Sequence, residues 1–288
     1  MSQFILNISD KVFGFLRAFW ESKKINKLMS SVLVTVFIIS TIVSYLDRSN
    51  MISLGKWDES FINPFFAIEI SFTLLLILEL LSLIFVLPES VAKSVGKQFE
   101  LLSLIFIRSG FKEFSHIDNF QWDHFPLEVI NMFAYALGSL AIFLIMGLNY
   151  KLQLHTRLTK TEDDEVEFIQ AKKVLAIGLL LAFFVIGFYD VKALLTTGEY
   201  LHSFDKFYTV LIFSDIVIVL IALRYTLNYY KIFRYSAFVL ATIFIRISLS
   251  IKVYQNVLVG VSAALFVLLL TFIYNYFLKI LPSKALDK

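Results

Sequence analysis

Four ionisable residues stand inside long apolar runs, and their types and spacing set the chemistry open to this chain: Glu79, Arg108, Asp215 and Arg246. A charge held in hydrocarbon costs at least ~2.5–3.5 kcal/mol on insertion scales, so each such group needs a partner or a watery lining. Depth follows from the rise of a helix. Glu79 lies eight residues from Leu87 and Arg108 eleven from Lys97, which places them roughly 12 and 16 Å from a shared hairpin end. The same count puts Asp215 and Arg246 at roughly 14 and 18 Å. An arginine fork spans such a difference and can grip a carboxylate bidentately. The spacing therefore predicts two pairs, Glu79–Arg108 and Asp215–Arg246. In one reading each pair satisfies itself and locks helix register. In the other the pairs line an ion or proton path. The residues alone leave both open.

Other chemistry is thin. The chain has no cysteine, which removes disulfides, thiolate catalysis, zinc–thiolate sites and iron–sulfur clusters. His116, Asp118, Asp123 and His124 crowd one loop, but their spacing matches no ligand pattern, so a solvated loop is expected rather than a metal site. No glycine-rich phosphate loop and no nucleophile elbow occurs. No catalytic residue, metal or cofactor is expected, and the chain does not read as an enzyme. A net charge of only +3 points to no nucleic-acid partner. Glu69, Glu100 and Asp205 lie nearer segment ends, where interfacial placement explains them.

The elements that must hold the four charges follow from composition. Apolar residues make up 58% of the 288 and charged ones 17%, against roughly 45–50% and about 25% in a soluble domain. Several runs approach the ~20 residues that a ~30 Å hydrocarbon slab demands. Eight membrane segments are expected, at about 29–46, 65–87, 96–114, 127–149, 173–193, 206–227, 234–252 and 256–279. The third and seventh each carry an arginine. Ahead of them, residues 3–27 show Phe4, Ile5, Ile8, Val12, Phe15, Leu16, Phe19 and Trp20 at helical spacing. Lys11, Arg17, Lys23 and Lys24 give that helix a basic side suited to anionic headgroups. It lies either on the bilayer surface or on the protein's own cytoplasmic face. Trp20, Trp57 and Trp122 fall near the expected interfaces. No cleavable signal is apparent, because the first long apolar run begins only near Ser31.

Basic residues set the orientation. If the N terminus, the 2–3 loop, the central linker, the 6–7 loop and the C terminus share one side, that side holds 18 of the 26 lysines and arginines. This is a positive-inside bias and predicts both termini in the cytoplasm. Lys93, Lys97, Arg224, Lys231 and Arg234 cluster at the cytoplasmic hairpin tips. They are expected to fix topology and touch lipid phosphate, with a cytoplasmic anion site as the sharper alternative. The polar stretch 150–172, carrying Glu162, Asp163, Asp164 and Glu165, reads as a connector between two apolar halves.

Those halves resemble each other. Ile105-Phe106-Ile107-Arg108 recurs as Ile243-Phe244-Ile245-Arg246 at an offset of 138, and Glu69 and Glu79 match Asp205 and Asp215 at 136. Asp47 and Asp190 sit alike at the outer ends of the first and fifth segments. Four spans per copy is an even number, so the repeats should run parallel rather than inverted. The expected architecture is an all-α polytopic membrane protein of about eight transmembrane helices in two tandem four-helix repeats. Its parts are an amphipathic helix at 1–28, repeats at 29–149 and 173–280, a linker at 150–172 and a tail at 281–288.

Phe233-Arg234-Tyr235, followed by Ala241-Thr242-Ile243-Phe244-Ile245-Arg246, places two arginines twelve residues apart. An acidic residue, Asp215, stands midway along the preceding helix, and Val257-Leu258 opens the last one. In this the second half resembles the phosphate-starvation-inducible PsiE family of small bacterial inner-membrane proteins. The likeness covers roughly 173–280, and more faintly 30–150, where Gly96 and Lys97 replace the Arg234-Tyr235 step. It implies a bacterial cytoplasmic membrane and a stress-linked role, but no activity.

Three functions remain. The expectation is a protein that provides or regulates an ion-conducting pathway, as a homo-oligomer, with the anionic bilayer and the passing ions as its partners. The runner-up is a non-conducting stress sensor or scaffold, with a membrane-acting defence effector between the two. A secondary transporter comes third, weakened by the scarcity of helices broken by proline or glycine.

Overall fold

A computed structural model describes residues 3–49, 66–89, 91–114, 126–152, 162–197, 203–225 and 228–280. Every regular element among them is a helix: α1 (Gln3–Trp20), α2 (Lys23–Arg48), α3 (Phe66–Val86), α4 (Val91–Phe114), α5 (Leu127–Leu152), α6 (Glu162–Thr197), α7 (Phe204–Tyr225), α8 (Tyr229–Leu249) and α9 (Val253–Ile280).

Six of these, α2 and α5 to α9, are long and apolar enough to cross a membrane. The chain is an integral membrane protein by that measure. Of the eight expected spans, α3 contributes only a shorter apolar stretch, Ile70–Val86, and α4 does not reach the threshold. The reason in α4 is visible in its sequence, since Lys93, Lys97, Gln98, Glu100 and Arg108 interrupt the apolar run. Such a helix is tolerable at membrane depth only if its polar side is turned towards other helices.

Several boundaries move. The amphipathic helix stops at Trp20 rather than 27, because the Ser22 hydroxyl accepts from the Ile25 N–H and starts a new helix there. Lys23, Lys24 and Lys27 thus belong to the first long helix. The connector expected at 150–172 is mostly helix: α5 runs on to Leu152 and α6 already begins at Glu162. Asn228 caps α8 by accepting from Tyr230 and Lys231, which starts that helix five residues before the expected 234. Residues 115–125, with the histidine–aspartate loop, lie outside the described residues, as do Trp57, Trp122 and the tail.

Packing runs in sequence order within each half: α2 on α3, α3 on α4, α4 on α5, and likewise α6 on α7, α7 on α8, α8 on α9. The halves then meet like on like, α4 against α8 and α5 against α9. Lipid supplies no hydrophobic drive for helices to associate, so small residues and interhelical hydrogen bonds carry such contacts. Both occur at this seam. A Cβ on Gly138 of α5 would stand 2.6 Å from Val257 Cγ1, and one on Gly260 of α9 would stand 2.8 Å from Phe106 Cζ. These two glycines are therefore demanded by close approach around the buried Phe106 ring. The Arg246 guanidinium of α8 adds a hydrogen bond across the seam, donating from Nη2 to the Gln98 side-chain carbonyl of α4 at 2.9 Å.

The outer helices turn their polar residues inward. On α2, Ser40, Ser44 and Asp47 are buried, while Val32, Val34, Phe37, Ile38, Ile39 and Ile42 are exposed. α6 does the same, burying Asp190 beneath exposed Phe184, Val185 and Phe188. This inversion of the soluble pattern suits a hydrocarbon surround. Asp47 and Asp190, matched by sequence, are both buried near the ends of their helices.

α1 packs on the protein along one stripe and leaves the neighbouring one exposed. Leu6, Phe13, Leu16 and Trp20 form the stripe packed on the protein, with Trp20 stacked on Phe85 at 5.8 Å. The neighbouring stripe of Ile8, Val12, Phe15 and Phe19 stays exposed, Phe15 at 72%. Ion pairs fasten the helix. Arg17 bonds Glu89 in the α3–α4 turn at 2.5 Å, Lys173 of α6 bonds Asp10, and Lys172 donates to the Glu89 carbonyl.

Candidate functional site

The four charges singled out by sequence stand one each on α3, α4, α7 and α8. Arg108 Nη2 bonds Glu79 Oε2 at 2.7 Å, and its Nη1 donates to the Phe72 carbonyl at 2.7 Å. Packing of α3 on α4 brings the two residues within reach, and the long arginine side chain spans the difference of about 4 Å that helix rise predicts. The Phe72 carbonyl could not have been foreseen, because it is a backbone group in the same α3 helix, seven residues from Glu79.

The second half is arranged differently. Asp215 and Arg246 are 5% and 4% exposed and lie within electrostatic reach of each other, yet they form no direct ion pair. Arg246 instead crosses the seam, and its Nη2 donates to Gln98 of α4 at 2.9 Å. The expected bidentate pair is corrected on this point. The side chain at 98 offers an amide acceptor on the face of α4 that meets α8, and α8 rotates Arg246 towards it. Thr242 lies against Asp215, and the Tyr208 ring sits 5.5 Å from the Arg246 guanidinium.

Two buried atoms of this cluster lack hydrogen bonds, Asp215 Oδ2 and Arg246 Nε. An orphaned acceptor beside an orphaned donor is rare in a packed interior, and such groups mark a functional position or a place for a small polar species. Gln98 is the residue that sequence reasoning missed. Its only signal is an uncharged polar side chain ten residues before Arg108 on the same helix.

A pocket of about 130 Å³ opens between α3 and α4 and reaches Arg108; Phe72, Thr73, Leu76, Ile105, Ser109 and Lys112 complete its walls.

The basic residues expected to meet lipid find partners within the chain. Lys93 pairs with Glu89, Lys97 with Glu100 at 2.9 Å, and Arg224 with Glu167 at 3.6 Å. The last is largely exposed and so contributes little to stability. Glu100 also accepts from the Tyr150 hydroxyl at 2.7 Å. Lys231 is half-buried. Arg234 departs most from expectation: it is 8% exposed, with its guanidinium 4.5 Å from the Tyr274 ring centre and 5.5 Å from that of Phe238. Packing of α8 on α9 turns it inward, and the two rings replace the headgroup as its electron-rich neighbour. The side chains of Glu69 and Asp205 lie outside the described residues.

Around the turn at 87–89 the electrostatics are local. Burial pushes the Glu89 carboxyl up, but hydrogen bonds from Lys93 and Arg17 outweigh it and hold the group below the ordinary carboxylate range. Hydrogen bonds to Glu21 and Glu89 raise Arg17 against its own desolvation.

No family model, curated protein or solved structure matches this chain.

Proposed function

We propose that this membrane protein provides or regulates an ion pathway along the seam between its halves. The observation that carries the reading is the pair of arginines, Arg108 and Arg246, one from each half. Arg108 is paired with Glu79, while Arg246, with Asp215 within electrostatic reach, bonds Gln98 across the seam. The orphaned Asp215 Oδ2 and Arg246 Nε add to it, since charged groups at membrane depth are retained for a use.

The reading includes eight membrane crossings in two parallel four-helix copies, with both termini in the cytoplasm of a bacterial cell and a PsiE-like second half. Like-on-like packing of α4 with α8 and α5 with α9 supports a two-fold relation along the membrane normal. The lysine and arginine bias supports the orientation. The homo-oligomer and the anionic bilayer remain part of the proposal.

A second reading, a non-conducting stress sensor or scaffold, is favoured by α1. Its ion pairs to the α3–α4 turn and to α6 make it a helix that could report on the membrane surface or on a partner. A membrane-acting defence effector would use the same exposed stripe.

Purified protein in liposomes separates them. Flux in the wild type that Asp215→Asn or Glu79→Gln changes, with each variant monodisperse by size-exclusion chromatography, is the expected result. Absence of flux under any potential, pH or ion gradient refutes the pathway and leaves the sensor.

A further inference from the structure

We infer that α1 and the start of α2 form a docking surface for anionic phospholipid, which holds α1 between the bilayer and the protein. An apolar stripe on α1 is left uncovered by the protein, and the lysines beside it have no partner within the described chain.

The stripes of α1 point in different directions. At about 100° per residue, Leu6, Phe13, Leu16 and Trp20 share one line along the helix, and Ile8, Val12, Phe15 and Phe19 share another roughly a third of a turn away. The first line packs on the protein. The second is exposed, Phe15 at 72% and Phe19 at 56%. Asp10 and Arg17, which make ion pairs to the rest of the chain, fall on the far side of the packed line. A helix lying against the flank of a bundle at the lipid surface has this order, with one side on protein and the next side in the acyl boundary. Chain continuity puts α1 at that depth. Only Glu21 and Ser22 separate it from α2, whose segment Lys23–Asp47 is long and apolar enough to cross a membrane.

Charge complementarity selects the lipid. The acids of α1 and its elbow are already engaged, Asp10 by Lys173 and Glu21 by Arg17. Lys11, Lys23, Lys24 and Lys27 are exposed, and among the described residues nothing pairs with their side chains. Lys11 flanks the exposed stripe, and the other three stand in the first two turns of α2, where a span enters the headgroup layer. The hairpin tips differ, because Glu89, Glu100 and Glu167 engage Lys93, Lys97 and Arg224. A second copy docking through the same stripe would set these lysines against their like, which is unfavourable. An anionic bilayer takes the stripe and the lysines together.

α1 also bridges the halves, since Arg17 bonds Glu89 in the α3–α4 turn and Lys173 of α6 bonds Asp10. Lipid that binds α1 in this position stabilises a strap across both halves. Such docking gives the anionic-bilayer part of the proposed function its site and rests on that part alone, not on conduction.

Phe15→Trp, combined with Trp20→Phe, Trp57→Phe and Trp122→Phe, gives the full chain a single tryptophan on the exposed stripe. It is reconstituted in phosphatidylcholine vesicles that contain the same minor fraction of either brominated phosphatidylglycerol or brominated phosphatidylcholine. Both lipids should quench the emission, the anionic one roughly twofold more strongly, because a lysine cluster concentrates anionic lipid around it. Lys11→Gln, Lys23→Gln, Lys24→Gln and Lys27→Gln together should bring that ratio towards one, while quenching by brominated phosphatidylcholine persists. Sodium chloride at about 1 M, where the screening length falls to about 3 Å, should lower the ratio with the lysines intact. The salt arm decides the matter even if the fourfold variant does not fold.

Equal quenching by the two lipids overturns the anionic preference. A tryptophan that acrylamide quenches and neither lipid does lies in water, and the docking itself is then overturned. Protection from lipid and acrylamide alike means that protein covers the stripe, which overturns the inference in favour of a second copy. Flux with equal quenching would keep the pathway and discard the lipid surface. Anionic preference without flux would do the opposite.

Discussion

Breaking the Glu79–Arg108 pair from either side, and then from both, tests whether it is a buried pair in the physical sense. Two unit charges about 4 Å apart attract by about 4 kcal/mol at an effective dielectric of about 20, and desolvation of both ions offsets much of that. Net values therefore depend on what each substitution leaves behind. Arg108→Leu strands a carboxylate whose side chain is 14% exposed and also frees the Phe72 carbonyl. Loss of one partner from a buried pair destabilises by about 3–5 kcal/mol, and this variant belongs at that level. Glu79→Leu is milder, at about 2–3 kcal/mol, because Arg108 keeps the Phe72 carbonyl and faces the pocket. In the double variant no charge is stranded, so its loss should be smaller than that of Arg108→Leu alone. The cycle then gives a favourable coupling of about 2 kcal/mol or more. The assay is unfolding of purified protein in mixed micelles by increasing SDS. It is followed through Trp20, which stacks on Phe85, in a background of Trp57→Phe and Trp122→Phe. Single-variant losses under about 1 kcal/mol, or a double variant as unstable as the summed singles, would refute the argument, since such additivity belongs to independent sites.

Two further outcomes follow from the seam and from the turn. Gly138→Ala should lower stability by about 1–3 kcal/mol through overpacking, because the new Cβ would sit 2.6 Å from Val257 Cγ1. Adding Val257→Ala should restore most of it, and thermal denaturation read by size-exclusion chromatography shows whether it does. Glu89, held below the usual carboxylate range by Lys93 and Arg17, stabilises the docking of α1 when ionised. A depressed folded value means that this stabilisation is fully present above the unfolded carboxyl value of about 4.3 and is lost as pH falls through and below it. Trp20 emission should therefore shift towards its solvated value between about pH 5 and 3, and Glu89→Gln should show the released state already at pH 7. An emission profile that is flat in wild type over this range contradicts the docking role.

What the linear chain determined about this protein is depth and helicity. Long apolar runs can satisfy their backbone only as helices in lipid, so the helices were legible apart from their ends. Counting residues from the hairpin placed Glu79 and Arg108 within about 4 Å of the same height, and the reach of the arginine side chain did the rest. The doubled Ile-Phe-Ile-Arg motif marked both arginines. What rise along an axis cannot give is rotation about it. The same count set Asp215 and Arg246 within about 4 Å of each other in height, yet α8 faces its arginine across the seam to Gln98, 148 residues away, and leaves Asp215 Oδ2 without a bond. Arg234 looked like a headgroup contact by position and is instead enclosed by Tyr274 and Phe238, because α9 packs over that face. One hydroxyl, that of Ser22, divides what hydropathy read as a single amphipathic helix. Azimuth and lateral neighbours arise from how whole helices fit together, and only the tertiary structure decides them.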